Sequence, residues 1–311
     1  METNLLKEVL VCLDDGRRLI HYYKDKYALF LLNSAMSDKN QLKLSEIKTS
    51  HLAKLLRKQR VKQITSRCGD GVLTKQHLDE FYVEDFESYV VTLSEWGCPQ
   101  DYSWAQTSRP GKNLVVQLNF TGKHDQFMNE LKIDADLFKY GCHPVHKTKS
   151  SVAWSRIDFD FETGEALIEE IQNDWLREVA CQLKISRKSI SKGEHHYQYY
   201  GQKHNAEQML KYAKDTLNRY SKTWSEVMLY ATIEFIKNEL GISKIYYHTT
   251  GTAKVLKNLQ YSFPPISLYT DLPKKFCFSQ VDDTPEFIAK EKKVKRRVKK
   301  INQTKWFYLE I

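Results

Sequence analysis

Cysteines are few in this chain of 311 residues, and the six that are present lie far apart, with no Cys-x-x-Cys pair. Their spacing excludes a disulfide framework and a cysteine-based zinc site, and it favours a reducing compartment. Long apolar runs are also missing, since the longest, residues 27–32, is far too short to span a bilayer. The first residues carry Glu2, Lys7 and Glu8, where a signal peptide needs a basic start and an apolar stretch. We therefore expect a cytoplasmic protein that does not cross a membrane.

The sequence contains no internal repeat and no long low-complexity linker, but it has enough apolar residues for a large core. Hydrophobic residues make up 41% and aromatic residues 12%, which is typical of globular proteins. Residues 96–111 are rich in proline and glycine and form a candidate boundary. We predict an N-terminal α/β region over residues 1–100 and a second domain over residues 101–311, which carries an inserted segment at residues 176–220.

Local patterns predict the main elements outside the sheet centre. Residues 8–13 and 19–32 are typical of strands, and residues 45–63 of a helical region. The inserted segment is weakly amphipathic, and a single helix is predicted in it, over residues 206–217. The sequence Thr-Trp-Ser-Glu at residues 223–226 predicts a capping box that begins the next helix.

The formal net charge of +9 is concentrated in two basic patches. Residues 290–300 hold eight bases and one acid, and residues 54–67 hold six bases and no acid. Such patches bind polyphosphates in a strongly salt-dependent way, although a charged helix is more often only a solvated surface. Both patches are candidate contacts for a nucleic acid. The expected contact residues in the first patch are Lys293, Lys295, Arg296, Arg297 and Lys299.

Two glutamates in a strand that reads as buried are the most informative feature of the sequence. Residues 152–161 alternate between apolar and polar and form a hairpin with residues 165–174. Apolar residues point to both faces of the second strand, so Glu169 and Glu170 are predicted on opposite faces of a central strand. A buried carboxylate is normally paired, protonated or functional. Either one glutamate is a general base whose pKa is raised by burial, or one is exposed and the other pairs with Arg156 across the hairpin.

Polar residues at the end of that strand and in one turn are candidates for substrate binding. Gln172, Asp174 and Trp175 follow the glutamates directly. Arg109 could grip a phosphate or carboxylate through two parallel hydrogen bonds. The structural alternative is that Asp174 caps the next element and that Arg109 lies in an exposed turn.

Three further sites carry weaker signals. The residues His-Thr-Thr-Gly at 248–251 end a strand and enter a helix, where amides and hydroxyls suit phosphate, although an ordinary helix cap is the alternative. Tyr269 is a candidate acid for a leaving thiolate, with packing as the alternative. His143 and His146 have the spacing of a metal-binding pair, but no acidic or cysteine partner completes a set, so we predict no metal.

The run EEIQNDW at residues 169–175 resembles a segment that usually reads EEIQSDW in very large phage-encoded multidomain proteins. QTSRPG at residues 106–111 and LYTDLPKKFCF at residues 268–278 also resemble a family of uncharacterised bacterial proteins. The two resemblances imply a shared domain and a relation to phages, but no activity.

The order of the predicted elements is similar to that of the GNAT acyltransferases. Those enzymes have a hairpin into a central strand, a long helix, a strand, a short helix and two final strands. The resemblance implies an acyl-CoA whose pyrophosphate lies on amides before the long helix, and a central-strand glutamate as general base. The chain departs from the family because it lacks the glycine-rich turn. The corresponding cofactor contacts are expected at Thr223, Trp224, His248, Thr249 and Gly251.

We therefore expect an α/β (α+β) fold with a mixed, largely antiparallel central sheet, flanking helices and a GNAT-like C-terminal part. The expected function is group transfer by an acyl-CoA-dependent N-acyltransferase acting on a nucleic-acid or protein substrate, with acetyl-CoA or another acyl-CoA as cofactor. Glu169, Glu170 and Tyr269 would then be catalytic. The strand bearing Glu169 should separate from the strand at residues 244–248 and open a cleft also lined by Trp175, His248 and Tyr269. The alternative is a non-catalytic nucleic-acid-binding protein in conflict between bacteria and phages.

Overall fold

The computed structural model describes residues 1–13, 18–36, 39–98, 103–257, 259, 264–299 and 304–311. The predicted domain boundary at residue 100 lies outside these ranges. The first elements are α1 (Thr3–Cys12), β1 (Arg18–Tyr22), α2 (Lys26–Met36), β2 (Gln41–Lys43), α3 (Leu44–Thr49), α4 (Gln59–Thr65), β3 (Val72–Thr74), α5 (Lys75–Asp79) and β4 (Glu87–Cys98). The middle elements are β5 (Gly111–Asn119), α6 (Gly122–Glu130), β6 (Ser151–Asp160), β7 (Glu165–Gln172), α7 (Trp175–Ser191), β8 (His196–Tyr199), β9 (Gln202–Asn205), α8 (Ala206–Tyr220) and α9 (Trp224–Asn238). The last are β10 (Lys244–His248), α10 (Thr250–Leu256), α11 (Asp271–Lys275), β11 (Ser279–Val281), α12 (Glu286–Ala289), α13 (Lys292–Val298) and β12 (Trp306–Glu310).

An eight-stranded sheet organises the fold, in the order β1-β4-β5-β6-β7-β10-β12-β11. Neighbouring strands in it run antiparallel, except that β7 and β10 run parallel. A parallel pair needs a long crossover, which α7, α8 and α9 supply. The sheet takes β1 and β4 from the first hundred residues and its other strands from the rest. The predicted class, a mixed and largely antiparallel sheet with flanking helices, is confirmed.

The two faces of the sheet carry different cores. Ile245 and Tyr247 of β10 point into the main core, together with the buried side of α9. Tyr246, between them, points to the other face, as the two-residue period of a strand requires. There it packs in a smaller cluster with Leu167 and Trp306, and with Leu256 of α10, Phe287 and Ile288 of α12 and Val294 of α13. The polar residues of the hairpin lie on this second face.

The predicted strands at residues 8–13 and 19–32 are wrong for most of their length, because α1 and α2 occupy much of them. Leu6 and Val9 are buried on α1, and the buried residues of α2 recur at helical spacing. Short apolar runs fit a buried helix as well as a strand, so the pattern alone did not separate them.

The inserted segment holds more structure than the single helix predicted there. It contains α7, the β8–β9 hairpin and α8. The buried side of α7 includes Gln182, Ser186 and Ser189, and these polar residues concealed its amphipathic pattern. The capping box at residues 223–226 is also wrong, because the Thr223 side chain makes no cap hydrogen bond. Glu226 instead accepts a hydrogen bond from the hydroxyl of Tyr22.

Within the described ranges, no helix has the length and apolar character needed to cross a membrane.

Candidate functional site

A β-bulge at Glu169 turns both glutamates of β7 to one face of the sheet. Arg156 of β6 lies opposite Glu170, and the next residue of β6 lies opposite Ile168, so Glu169 is the extra residue. Ile168 and Ile171 both belong to the main core, and the two glutamates between them therefore face the other way. The prediction that they lie on opposite faces is wrong, because the bulge interrupts the two-residue period.

Glu170 is a buried carboxylate with two cationic partners. The ammonium of Lys257 lies 2.8 Å from its Oε2, and Arg156 donates to the same oxygen. Gln172 donates to the other oxygen, Oε1. Burial raises the pKa of Glu170, but Lys257 and Arg156 outweigh burial and hold the pKa at about 2. Burial lowers the pKa of Lys257, and the charge of Glu170 opposes that effect.

Glu169 is buried beside it and is held mainly by neutral donors. It accepts hydrogen bonds from the amide and the hydroxyl of Ser108, at 2.9 and 2.8 Å, and Nε2 of His248 lies 3.1 Å away. Burial lowers the pKa of His248, whereas the hydrogen bond to Glu169 and the charge of Glu169 oppose that effect. Burial raises the pKa of Glu169, but the hydrogen bond and the charge of His248, followed by the charges of Lys257 and Arg156, bring it to about 2.

The four charged side chains of this cluster balance. Glu169 and Glu170 contribute two negative charges, and Arg156 and Lys257 contribute two positive ones. The expectation that burial raises the pKa of one glutamate is therefore wrong. The predicted pairing of Arg156 with a glutamate across the hairpin is confirmed, although the second glutamate is buried and not exposed.

The remaining candidate residues of this face also have structural partners. Arg109 forms a bidentate pair with buried Asp158, at 2.6 and 3.0 Å, so its turn is not merely exposed. Thr249 caps α10, since its hydroxyl accepts from the amide of Thr252 at 3.3 Å. The hydroxyl of Tyr269 lies 3.4 Å from the ammonium of Lys257, and burial, with Glu170, raises its pKa.

A cavity of about 670 Å³ opens beside the end of β7. The ladder between β7 and β10 ends at Ile168 and Tyr247, whereas β7 continues to Gln172. The predicted residues Glu170, Gln172 and Trp224 all line this cavity. The sequence therefore identified residues from β7 and from the start of α9 that the fold brings together.

The predicted composition of the cleft is wrong in part. Trp175 is buried and its ring stacks on Phe138 at 4.9 Å, and it does not line the cavity. His248 and Tyr269 are also buried and lie outside the lining. Trp175 packs in the main core, His248 lies between Glu169 and Thr252, and the hydroxyl of Tyr269 lies beside Lys257.

His143 lines the cavity and is held in place by a carboxylate. Nδ1 of His143 lies 2.5 Å from Oδ2 of Asp174, which is buried. Arg177 donates to the other oxygen of Asp174 at 2.7 Å, and Nε1 of Trp154 donates to Oδ2 at 3.2 Å. Asp174, predicted to bind substrate, instead lies beneath the cavity wall. The Asp174 side chain makes no cap hydrogen bond to α7.

Sequence reasoning considered His143 only as half of a metal-binding pair. The structure separates it from His146, whose Nδ1 accepts from the amides of Thr148 and Lys149. The partner of His143 is 31 positions away in the chain, so no local spacing could reveal it.

The two basic patches lie on opposite sides of the sheet. The residues of α13 pack through Val294 on the smaller cluster, and Lys295 and Arg296 are exposed. Lys300 lies outside the described residues. The patch at residues 54–67 packs on the main core through residues such as Leu55, and its Lys54 donates to the carbonyl of Lys274.

Comparison of the chain with protein-family models, with curated proteins and with solved structures gave no match. The resemblances of the sequence to phage-encoded proteins and to GNAT enzymes therefore stay predictions.

Proposed function

We propose that the protein is an acyl-CoA-dependent N-acyltransferase that holds its acyl donor in the cavity beside β7. The observation that carries the proposal is the early end of the ladder between β7 and β10, which is the parallel pair among the described strands of the large sheet. β10 follows β7 only as far as Ile168, and the cavity lies against the residues of β7 beyond that point. A GNAT-type sheet opens at the same place to admit the acyl-thioester arm.

The order of elements supports the same function. A hairpin, β6–β7, leads into the central strand, and β10 returns parallel to it after a helical crossover. The short helix α10 follows β10, and the antiparallel strands β12 and β11 complete the sheet. The proposed position of the cofactor phosphates differs from the one predicted from the sequence. Because α7 begins directly after β7, its start is a better candidate than Thr223 for binding them.

The residues of the cavity fit an acyl-CoA. The side-chain nitrogen of Asn173 is buried without a partner among the described residues, and it is a donor available to a ligand. Arg177 lines the same cavity with an exposed guanidinium that suits a phosphate. Leu176, Leu217 and Leu268 supply an apolar wall for the thioester arm. The volume lies within the usual range of small-molecule sites, about 300–1,000 Å³.

In this function the glutamate cluster fixes the shape of the strand. Lys257 bonds the carbonyl of Glu169 at 3.2 Å as well as the side chain of Glu170. Those contacts hold the bulge and satisfy a carbonyl that β10 no longer pairs.

The test is acetyl transfer from labelled acetyl-CoA to two probes, poly-L-lysine and total tRNA, with free CoA measured by chromatography. We expect transfer to one probe and its loss in Ala180→Trp, because Ala180 lines the cavity and the indole would fill it. Val11→Trp is the matched control, since Val11 is 80% exposed on α1. Absence of transfer to both probes by the wild-type protein, or equal transfer by Ala180→Trp, would contradict the proposal.

A second candidate function, nucleic-acid binding, is favoured by the exposed face of α13. Lys295, Arg296 and Lys299 are exposed, while Val294 anchors the helix. We expect the affinity for tRNA to fall steeply as the salt concentration rises. The slope of the logarithm of the binding constant against the logarithm of the salt concentration should become shallower by about 2 when Lys295 and Arg296 become glutamine. Gel-shift titrations at several salt concentrations measure both, and a slope unchanged by the substitutions removes this function.

A further inference from the structure

The His143 ring is held on three sides by neighbouring groups. The ring of Tyr140 stacks on it at 5.7 Å, with an interplanar angle of 28°. The indole of Trp154 meets it edge-on at 5.6 Å. The hydrogen bond to Asp174 fixes the rotation of the imidazole within that frame. These three contacts fix the position and orientation of the imidazole, as a reacting group requires.

The hydrogen bond to Asp174 also fixes the tautomer. A carboxylate oxygen can only accept, so Nδ1 carries the proton and Nε2 carries the lone pair. His143 lines the cavity, and its side chain is 27% exposed. Among the described residues no side chain bonds Nε2, so the basic nitrogen is open to a ligand.

We infer that His143 is the general base of the proposed acyl transfer, with Asp174 as its positioning residue. The inference rests on the proposed function. An amine nitrogen attacks the thioester carbonyl carbon, a C–N bond forms, and the C–S bond breaks with its electron pair on sulfur. Nε2 of His143 takes the proton from the amine and then delivers it to the thiolate. The products are an amide and free CoA, and the base returns to its starting form.

The other basic groups of the cavity are less suited to this role. Both oxygens of Glu170 are already engaged, Oε2 by Arg156 and Lys257 and Oε1 by Gln172. Two charged groups share this site with the His143–Asp174 pair: Arg177 donates to the carboxylate of Asp174, and Glu170 lines the same cavity. Glu170 is paired with Arg156 and Lys257, and the charges of the glutamate cluster balance.

The experiment compares wild type, His143→Asn and the exposed control His196→Asn. Acetyl-CoA affinity is measured by calorimetry, and acetyl transfer to poly-L-lysine is measured from pH 6 to 9. We expect His143→Asn to bind acetyl-CoA within twofold of wild type and to lose about 10²–10⁴-fold in kcat, the usual contribution of a general base. The acidic limb of its pH–rate profile should disappear. His196→Asn should match wild type.

A second variant guards against a folding defect. His143→Ala leaves a ring-sized space between Tyr140 and Trp154, and added imidazole should restore its activity. Asp174→Asn should abolish the strongly downfield Nδ1 proton of His143 in the NMR spectrum. Wild-type rate and pH profile in His143→Asn, or failure of imidazole to rescue a folded His143→Ala, overturns the inference and leaves the proposed function standing. Failure of the wild-type protein to bind acetyl-CoA overturns the proposed function, and this inference with it.

Discussion

Replacement of Glu170 by glutamine should destabilise the protein strongly, although the two side chains have nearly the same size. Glutamine cannot balance the charges of Arg156 and Lys257, which are both buried against this carboxylate. The cluster would change from neutral to a net positive charge. Breaking a buried ion pair by removing one partner costs about 3–5 kcal/mol.

The depressed pKa of Glu170 gives an independent magnitude. The pKa is held at about 2, against an ordinary value of 4.5. Since each tenfold difference in proton affinity is worth about 1.36 kcal/mol, the lowered pKa corresponds to roughly 3 kcal/mol of stability, which is the effect of the pairing net of the cost of burial. Because the folded-state pKa is lowered, this contribution is fully present above about pH 4.5 and is lost as the pH falls toward about 2. The two magnitudes agree.

The assay is urea unfolding monitored by tryptophan fluorescence, at neutral pH and at about pH 3.5. Glu162→Gln is the control, because Glu162 is exposed in the turn between β6 and β7, and it should change the free energy of unfolding by less than about 0.5 kcal/mol. The double variant Glu170→Gln/Lys257→Met restores neutrality and should be more stable than Glu170→Gln alone. If Glu170→Gln proves as stable as Glu162→Gln, the buried charge cluster described above does not exist.

Three other substitutions test the fold. Lys257→Met should lower the free energy of unfolding by several kcal/mol, roughly 3 by the same argument, whereas Lys254→Met at an exposed position of α10 should stay within about 0.5, both by urea unfolding. Gly97→Ala should destabilise by about 2 kcal/mol, because Gly97 has φ +97° and a Cβ would lie 2.8 Å from a backbone oxygen. Gly69 has open space around it, so Gly69→Ala should leave the free energy of unfolding unchanged. Equal urea midpoints of unfolding for the two alanine variants would refute the close approach of Gly97 to that backbone oxygen. Tyr200→Asn should stabilise the protein by about 0.5 kcal/mol. Tyr200 has φ +45° and is the first residue of the two-residue loop between β8 and β9, where Asn followed by Gly is preferred. A lower melting temperature of this variant would count against the loop geometry.

The central hairpin could be predicted from the sequence, but the face of the sheet on which Glu170 lies could not. The alternation of residues 152–161 and the apolar faces of the return strand give the hairpin and its central place, because burial imposes those patterns directly. The bulge at Glu169 adds one residue and leaves no mark in the amino-acid pattern. The alternation of faces therefore shifts by one residue beyond Glu169, and the face predicted for Glu170 is wrong.

In the candidate site, too, some residues could be predicted from the sequence and others could not. Glu170, Gln172 and Trp224 are predicted from the sequence for three separate roles, and the fold brings all three to one cavity. His143 and Lys257 were missed, because their partners Asp174 and Glu170 are distant in the chain. Only the folded topology brings these pairs together.

The measurement that tests the central claim most directly is the calorimetric titration of the protein with acetyl-CoA. We expect one molecule bound per chain, loss of binding in Ala180→Trp, and unchanged binding in the exposed control Val11→Trp. No heat of binding to the wild-type protein, or the same affinity in Ala180→Trp, would contradict the claim that the cavity beside β7 holds an acyl-CoA.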